Sequence, residues 1–103
     1  MVIDLVVLYT TRLDDCREFY RSIGLDLVRE QHGTGPVHYA ATLADGTVLE
    51  LYPATRQPPT GPLRLGLTAP ATDRPAGRHA LTDPDGRTVI LTLPEKNPTT
   101  TTT

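Results

Sequence analysis

Apolar and polar positions alternate with two different periods along the first half of the chain. Val2 to Thr10 (VIDLVVLYT) is β-branched and aliphatic, the pattern of a buried strand. Leu13, Cys16, Tyr20 and Ile23 then recur at helical spacing with Phe19 beside them, which predicts a helix with one buried face. Thr10 or Thr11 offers a hydroxyl N-cap, Asp14 and Asp15 sit where the helix dipole favours anions, and Gly24 reads as the residue just past the C-cap. Leu25 to Gln31 returns to a strand pattern, and His32 to Pro36 is a turn with two glycines. Val37 to Leu43 and Thr47 to Tyr52 flank Ala44-Asp45-Gly46, a hairpin with a three-residue loop and Gly46 in the left-handed region. That register puts Tyr39, Ala41, Leu43, Leu49 and Leu51 on one face and His38, Ala40, Thr42, Val48, Glu50 and Tyr52 on the other.

The second half is thinner. Leu63 to Thr68, Arg78 to Thr82 and Thr88 to Leu93 read as strands, and Asp83-Pro84-Asp85-Gly86 is a strong turn. Pro36 is the sole proline before Tyr52, although the chain of 103 residues has ten. The stretch Pro53 to Pro62 has no apolar period and reads as a linker; Ala69 to Gly77 is too short and too proline-rich for a helix. The expected organisation is one domain over residues 1–94, with a first module at 1–53, a linker at 54–62 and a short second module at 63–94. A threonine-rich tail, 95–103, is expected to be disordered. One crossover followed by hairpins argues an α+β fold with mixed sheets.

Charge and cysteine narrow the partners. Twelve acids against ten bases give a net charge of −2, which argues against nucleic acid or an anionic membrane as the main partner. The apolar run Leu5 to Tyr9 is far shorter than the ~20 residues a spanning helix needs, and no secretory signal pattern is expected. A single cysteine, Cys16, suits a reducing cytoplasm.

The strand VVLYT with RLDDCREFYRSIGLDLV (Val6 to Val28), the hairpin end ADGTVLELYP (Ala44 to Pro53) and the phrase DPDGRTVIL (Asp83 to Leu91) resemble, in order and spacing, the vicinal oxygen chelate superfamily. That group includes glyoxalase I, extradiol dioxygenases and bleomycin-resistance proteins. The resemblance implies paired βαβββ-type modules whose curled mixed sheets surround a cavity, the second module here being truncated and without its helix. It also implies a divalent metal held by His, Glu or Gln at four strand positions. Those positions are Leu5, Glu50, Arg64 and Ile90, and only Glu50 can ligate, so neither a metal nor a cofactor is expected within one chain.

Leu5, Val7 and Tyr9 of the first strand, His38, Glu50 and Tyr52 of the hairpin, and Arg64 and Ile90 of the second module are therefore the candidate ligand-binding residues. Glu50 is either solvent-facing or a cavity carboxylate needing a partner, for which Arg64 is the candidate. Tyr9 and Tyr52 either wall a pocket for a flat ligand or fill the curled sheet. No catalytic dyad or triad is visible around His38. The expected function is metal-free binding or sequestering of a small organic molecule, as in bleomycin-resistance proteins. The alternatives are a metal-dependent glyoxalase or dioxygenase-type enzyme completed by another subunit, and a structural or regulatory subunit without ligand. Leu63, Leu65, Leu67, Leu81, Val89, Leu91 and Leu93 would lie bare without a covering helix, which predicts a homodimer through the second module.

Overall fold

The computed structural model describes residues 1–70 and 72–95; the threonine tail lies outside the described residues apart from Glu95. The chain divides into two compact units, Met1–Gly61 with Asp83–Asp85, and Pro62–Thr82 with the residues from Gly86 onward. It is α+β, with one helix among the described residues and two mixed sheets that are not closed into a barrel.

The first unit contains β1 (Leu5–Thr10), α1 (Leu13–Ser22), β2 (Val28–Glu30), β3 (His38–Thr42) and β4 (Val48–Pro53). Its sheet runs β1-β4-β3-β2, with β1 parallel to β4 and the other pairs antiparallel. Leu8 on β1 and Leu49 and Leu51 on β4 are buried, as are Cys16 and Tyr20 on the apolar stripe of α1. Polar contacts fix the angle of the helix. Asp14 accepts a hydrogen bond from the Tyr39 hydroxyl at 2.9 Å, and the Arg17 guanidinium lies 4.4 Å over the Tyr39 ring while donating to the Leu27 carbonyl.

Both ends of α1 differ in quality. The Thr10 hydroxyl accepts from the Arg12 N–H, and Arg12 itself occupies the N-cap with no side-chain cap, so the expected threonine N-cap is displaced by one position. The C-terminus closes with the Leu25 N–H on the Tyr20 carbonyl and the Gly24 N–H on the Arg21 carbonyl, the two bonds of a Schellman motif. Gly24 has φ 112°, and a Cβ there would meet no neighbour, so backbone strain alone sets the cost of a side chain. Gly24→Ala is expected to cost about 1 kcal/mol, read as a lower denaturant midpoint at unchanged m-value.

The strand expected over Leu25 to Gln31 shrinks to Val28–Glu30. The Leu27 N–H turns back to the Leu25 carbonyl and the Leu27 side chain is buried, so these residues dock the helix instead of joining the ladder. The first strand begins at Leu5, leaving Val2 and Ile3 exposed. The three-residue hairpin loop is present: Gly46 has φ 92°, and the Asp45 carboxylate accepts the Thr47 N–H, which lowers the Asp45 pKa.

The second unit holds β5 (Arg64–Thr68), β6 (Gly77–Thr82) and β7 (Thr88–Leu93) in the order β5-β7-β6, with no helix among its described residues. The bare apolar face expected here is only partly present. Val89, Leu91 and Leu93 are buried within the single chain, whereas Leu63, Leu65, Leu67 and Leu81 are half-buried. Central β7 has leucines of β5 on one flank and Leu81 of β6 on the other, while the outer strands are flanked on one side only. The Asp83–Asp85 turn groups with the first unit, where the Tyr20 hydroxyl donates to Asp83 Oδ2 at 2.7 Å.

Candidate functional site

The ladder partners Val7↔Glu50, Tyr9↔Tyr52, Ala40↔Glu50 and Glu30↔His38 place Leu5, Val7, Tyr9, Val28, Glu30, His38, Glu50 and Tyr52 on one face of the first sheet. α1 packs on the opposite face with its buried Cys16 and Tyr20 stripe.

His38 is the fixed point of this face, with a side chain only 1% exposed. Its Nδ1 is 3.2 Å from the Pro36 carbonyl oxygen, which can only accept, so Nδ1 carries the proton. Nε2 lies 3.3 Å from the Tyr52 hydroxyl oxygen. The two rings stack at 4.1 Å and 10°. Glu30 Oε1 lies 3.3 Å from the same Nε2, and Glu50 Oε2 lies 3.9 Å away. Burial first, then the charges of Glu50 and Glu30 and the neighbouring Tyr9, push the Tyr52 phenol above its ordinary pKa.

A cleft of about 510 Å³ opens beside Tyr52, with Tyr9, Pro36, Tyr52, Pro53, Arg56 and Gln57 among its walls. The Tyr9 and Tyr52 rings stand 6.0 Å apart, tilted by 48°. One wall comes from the stretch read as a linker. It is held in place by Thr60, whose N–H donates to the Tyr9 carbonyl while its hydroxyl accepts the Tyr9 N–H, and by the Ala54 N–H on the Thr10 carbonyl. The opposite wall is the turn after β2, closed by the Gly35 N–H on the His32 carbonyl.

Among the residues expected at the site, Tyr9 and Tyr52 line the cleft and His38 lies under Tyr52. Glu50 opens on a second depression of the same sheet face, with Asp26, Val28, Glu30 and Val48. Val7 pairs with Glu50 in the ladder, and Leu5 is exposed at the far end of β1. Arg64 and Ile90 share a face of the second sheet with Arg78 and Thr92. Within its own unit, Glu50 Oε2 lies 3.9 Å from His38 Nε2. Sequence reasoning missed Glu30, His32, Pro36, Arg56 and Gln57. Glu30 and His32 were readable as strand-end and turn polar residues but not as neighbours of His38.

The metal positions implied by the family resemblance offer a poor donor set. Leu5 and Ile90 have no lone pair, Arg64 carries a fixed positive charge, and Glu50 alone supplies an anionic oxygen.

Two tyrosines give the first unit an alkaline limit. The Asp14 carboxylate bonded to its hydroxyl, followed by burial, raises the Tyr39 pKa, as burial does for Tyr52. The unfolded chain then releases these protons first, so their contribution is complete below about pH 10. It is lost as pH rises through the higher folded values. Urea midpoints are expected to fall above about pH 10, and Tyr39→Phe should flatten that fall.

The Glyoxalase/Bleomycin resistance protein/Dioxygenase superfamily model matches residues 2–79. Among solved structures, TnmS3, an antibiotic-binding protein from a Streptomyces species, superposes with a TM-score of 0.66 at 22% identity, covering 92% of this chain and 97% of that one. A possible glyoxalase from Bacillus cereus gives 0.61 at 14% identity, covering 89% and 98%. A lactoylglutathione lyase from Agrobacterium tumefaciens gives 0.52 at 20% identity, covering 89% and 92%. At these identities the likeness is one of fold. No curated protein matches the chain by sequence.

Proposed function

The chain belongs to the Glyoxalase/Bleomycin resistance protein/Dioxygenase superfamily, and from that premise we propose that it binds and sequesters a small, flat organic molecule of the antibiotic kind without transforming it. The observation that carries this reading is the cleft walled by Tyr9 and Tyr52. Its volume falls in the usual range for small-molecule sites of roughly 300–1,000 Å³. Two tilted aromatic faces suit a planar ring system, and Arg56 and Gln57 at the rim suit its polar substituents. An antibiotic-binding protein among the structures of similar fold supports the same reading.

Binding in this proposal is metal-free at the family's metal positions, because Leu5, Arg64 and Ile90 replace the donors there. The test is a titration of the full chain with a panel of planar antibiotics, bleomycin included, followed by tyrosine fluorescence and calorimetry in the presence of a chelator. One ligand per chain at micromolar affinity, recovered chemically unchanged, is the expected result. Ligand turnover would show the enzyme reading to be correct instead, and binding abolished by the chelator would overturn the metal-free part of the proposal.

We also propose that the protein acts in the cytoplasm as a homodimer. A cysteine count of one, at Cys16, supports the compartment. No helix of the described residues is long and apolar enough to cross a membrane. The half-buried second-module leucines support association, and Leu5 at 51% and Val28 at 54% exposure add apolar surface on the outer strands of the first sheet. Sedimentation equilibrium at low micromolar concentration is expected to give twice the chain mass, and Leu5→Glu should shift it toward monomer. A parent protein that sediments as a monomer would end the dimer proposal.

A further inference from the structure

The β2–β3 end of the open face gathers groups that the cleft does not use. Glu30 ends β2, His32 opens the following turn, and His38 begins β3 as the ladder partner of Glu30. Glu30 Oε1 is 3.3 Å from His38 Nε2 and 3.7 Å from His32 Nε2. One donor atom from each of the three residues lies within 4.8 Å of the others. Donors bound to one tetrahedral zinc ion at about 2.0–2.1 Å stand roughly 3.3 Å apart. The observed spacing therefore needs shifts of about 1.5 Å or less, and they fall on His32, whose side chain is 75% exposed with its ring 5.1 Å from that of His38.

The supports of His38 favour a cation here. Nδ1 faces the Pro36 carbonyl, and Nε2 faces Glu30 Oε1, which the His32 Nε2 also approaches. A backbone carbonyl holding the remote nitrogen is the usual outer support of a metal-binding histidine. Burial and the stacked Tyr52 ring already immobilise the His38 side chain, so little rotamer freedom remains to be lost on binding. Charge points the same way, since Glu30 and Glu50 bracket Nε2 with two carboxylates. Two imidazoles with a carboxylate suit borderline divalent ions better than calcium or magnesium. None of Glu30, His32 and His38 occupies a position that the family resemblance assigns to a metal.

The geometry points to a divalent-cation site of the zinc class at Glu30, His32 and His38, with Glu50 as the outer carboxylate and water completing the coordination. The site lies on the first unit alone and is independent of whether the cleft binds an antibiotic.

The test uses the full chain without a histidine tag, stripped with chelator and dialysed. Cobalt(II) is titrated and followed by visible absorption, and zinc(II) is titrated by calorimetry. One equivalent is expected to bind at micromolar affinity. His32→Ala and Glu30→Gln are each expected to weaken it at least tenfold, whereas His79→Ala leaves it unchanged. His32 is exposed, so His32→Ala should keep the parent circular dichroism and report on binding alone. Nitrogen-15 spectra should show zinc shifting Nε2 of His32 and His38 but not His79. No saturable uptake below millimolar zinc, His32→Ala binding as tightly as the parent, or His38 resonances unmoved by zinc would each overturn the proposal.

Discussion

Asp83→Ala is expected to lower the thermal midpoint by about 15 °C, the largest loss of stability among the polar substitutions considered. Asp83 is 3% exposed and serves two donors within the first unit: Oδ2 takes the hydroxyl of fully buried Tyr20 at 2.7 Å, and Oδ1 takes the Asp85 N–H at 2.9 Å. A hydrogen bond to a charged group contributes about 1.5–3 kcal/mol, and a buried hydroxyl left without its acceptor adds about 1–3 kcal/mol. A total near 3 kcal/mol corresponds to roughly 15 °C at about 4–8 °C per kcal/mol for a domain of this size. Tyr20→Phe removes the donor without stranding it and should cost about half as much. The double variant should lose less than the two single losses added together, because both remove one bond. Calorimetry on the four proteins decides the point, and strict additivity would show that the Tyr20–Asp83 bond carries no coupling.

Each partner of that bond was visible in the sequence with a complete local explanation, which is why the bond itself was not. Tyr20 fits the apolar stripe of α1, and Asp83-Pro84-Asp85-Gly86 fits a turn; nothing in either pattern calls for a partner 63 positions away. Local periodicity did reveal the shared face of Tyr9, His38, Glu50 and Tyr52, because a two-residue period and one well-formed loop at Gly46 fix the register. The same logic failed at the β2–β3 connection. There the register rests on a turn through Gly33 and Gly35 that carries no apolar pattern, so Glu30 and His32 could not be placed beside His38. Arg56 and Gln57 were hidden for a related reason. Their segment has no period, and its course along β1 depends on the two bonds between Thr60 and Tyr9.

Substitutions at Tyr52 test the cleft most severely. Tyr52→Ala is expected to weaken binding of a planar ligand by about 30–100-fold, the effect of removing an aromatic anchor worth roughly 2–3 kcal/mol. The ring faces the cleft on one side and stacks on His38 on the other, so its loss also uncovers a buried imidazole. Tyr52→Phe keeps the ring and its stack while deleting the hydroxyl bond to His38 Nε2. If the flat face holds the ligand, the phenylalanine variant should bind within about threefold of the parent, well under the 1.4 kcal/mol that corresponds to tenfold. If the hydroxyl holds it, phenylalanine and alanine should lose affinity alike. Tyr9→Ala removes the facing wall and should act in the same direction, about tenfold, since its ring is tilted at 48° and touches less of a flat ligand. Fluorescence titration of the three variants against one ligand from the panel separates these outcomes. Parent-like affinity in Tyr52→Ala would mean that the ligand sits elsewhere, and the open face of the second sheet around Arg64, Arg78 and Ile90 would then be the surface to probe.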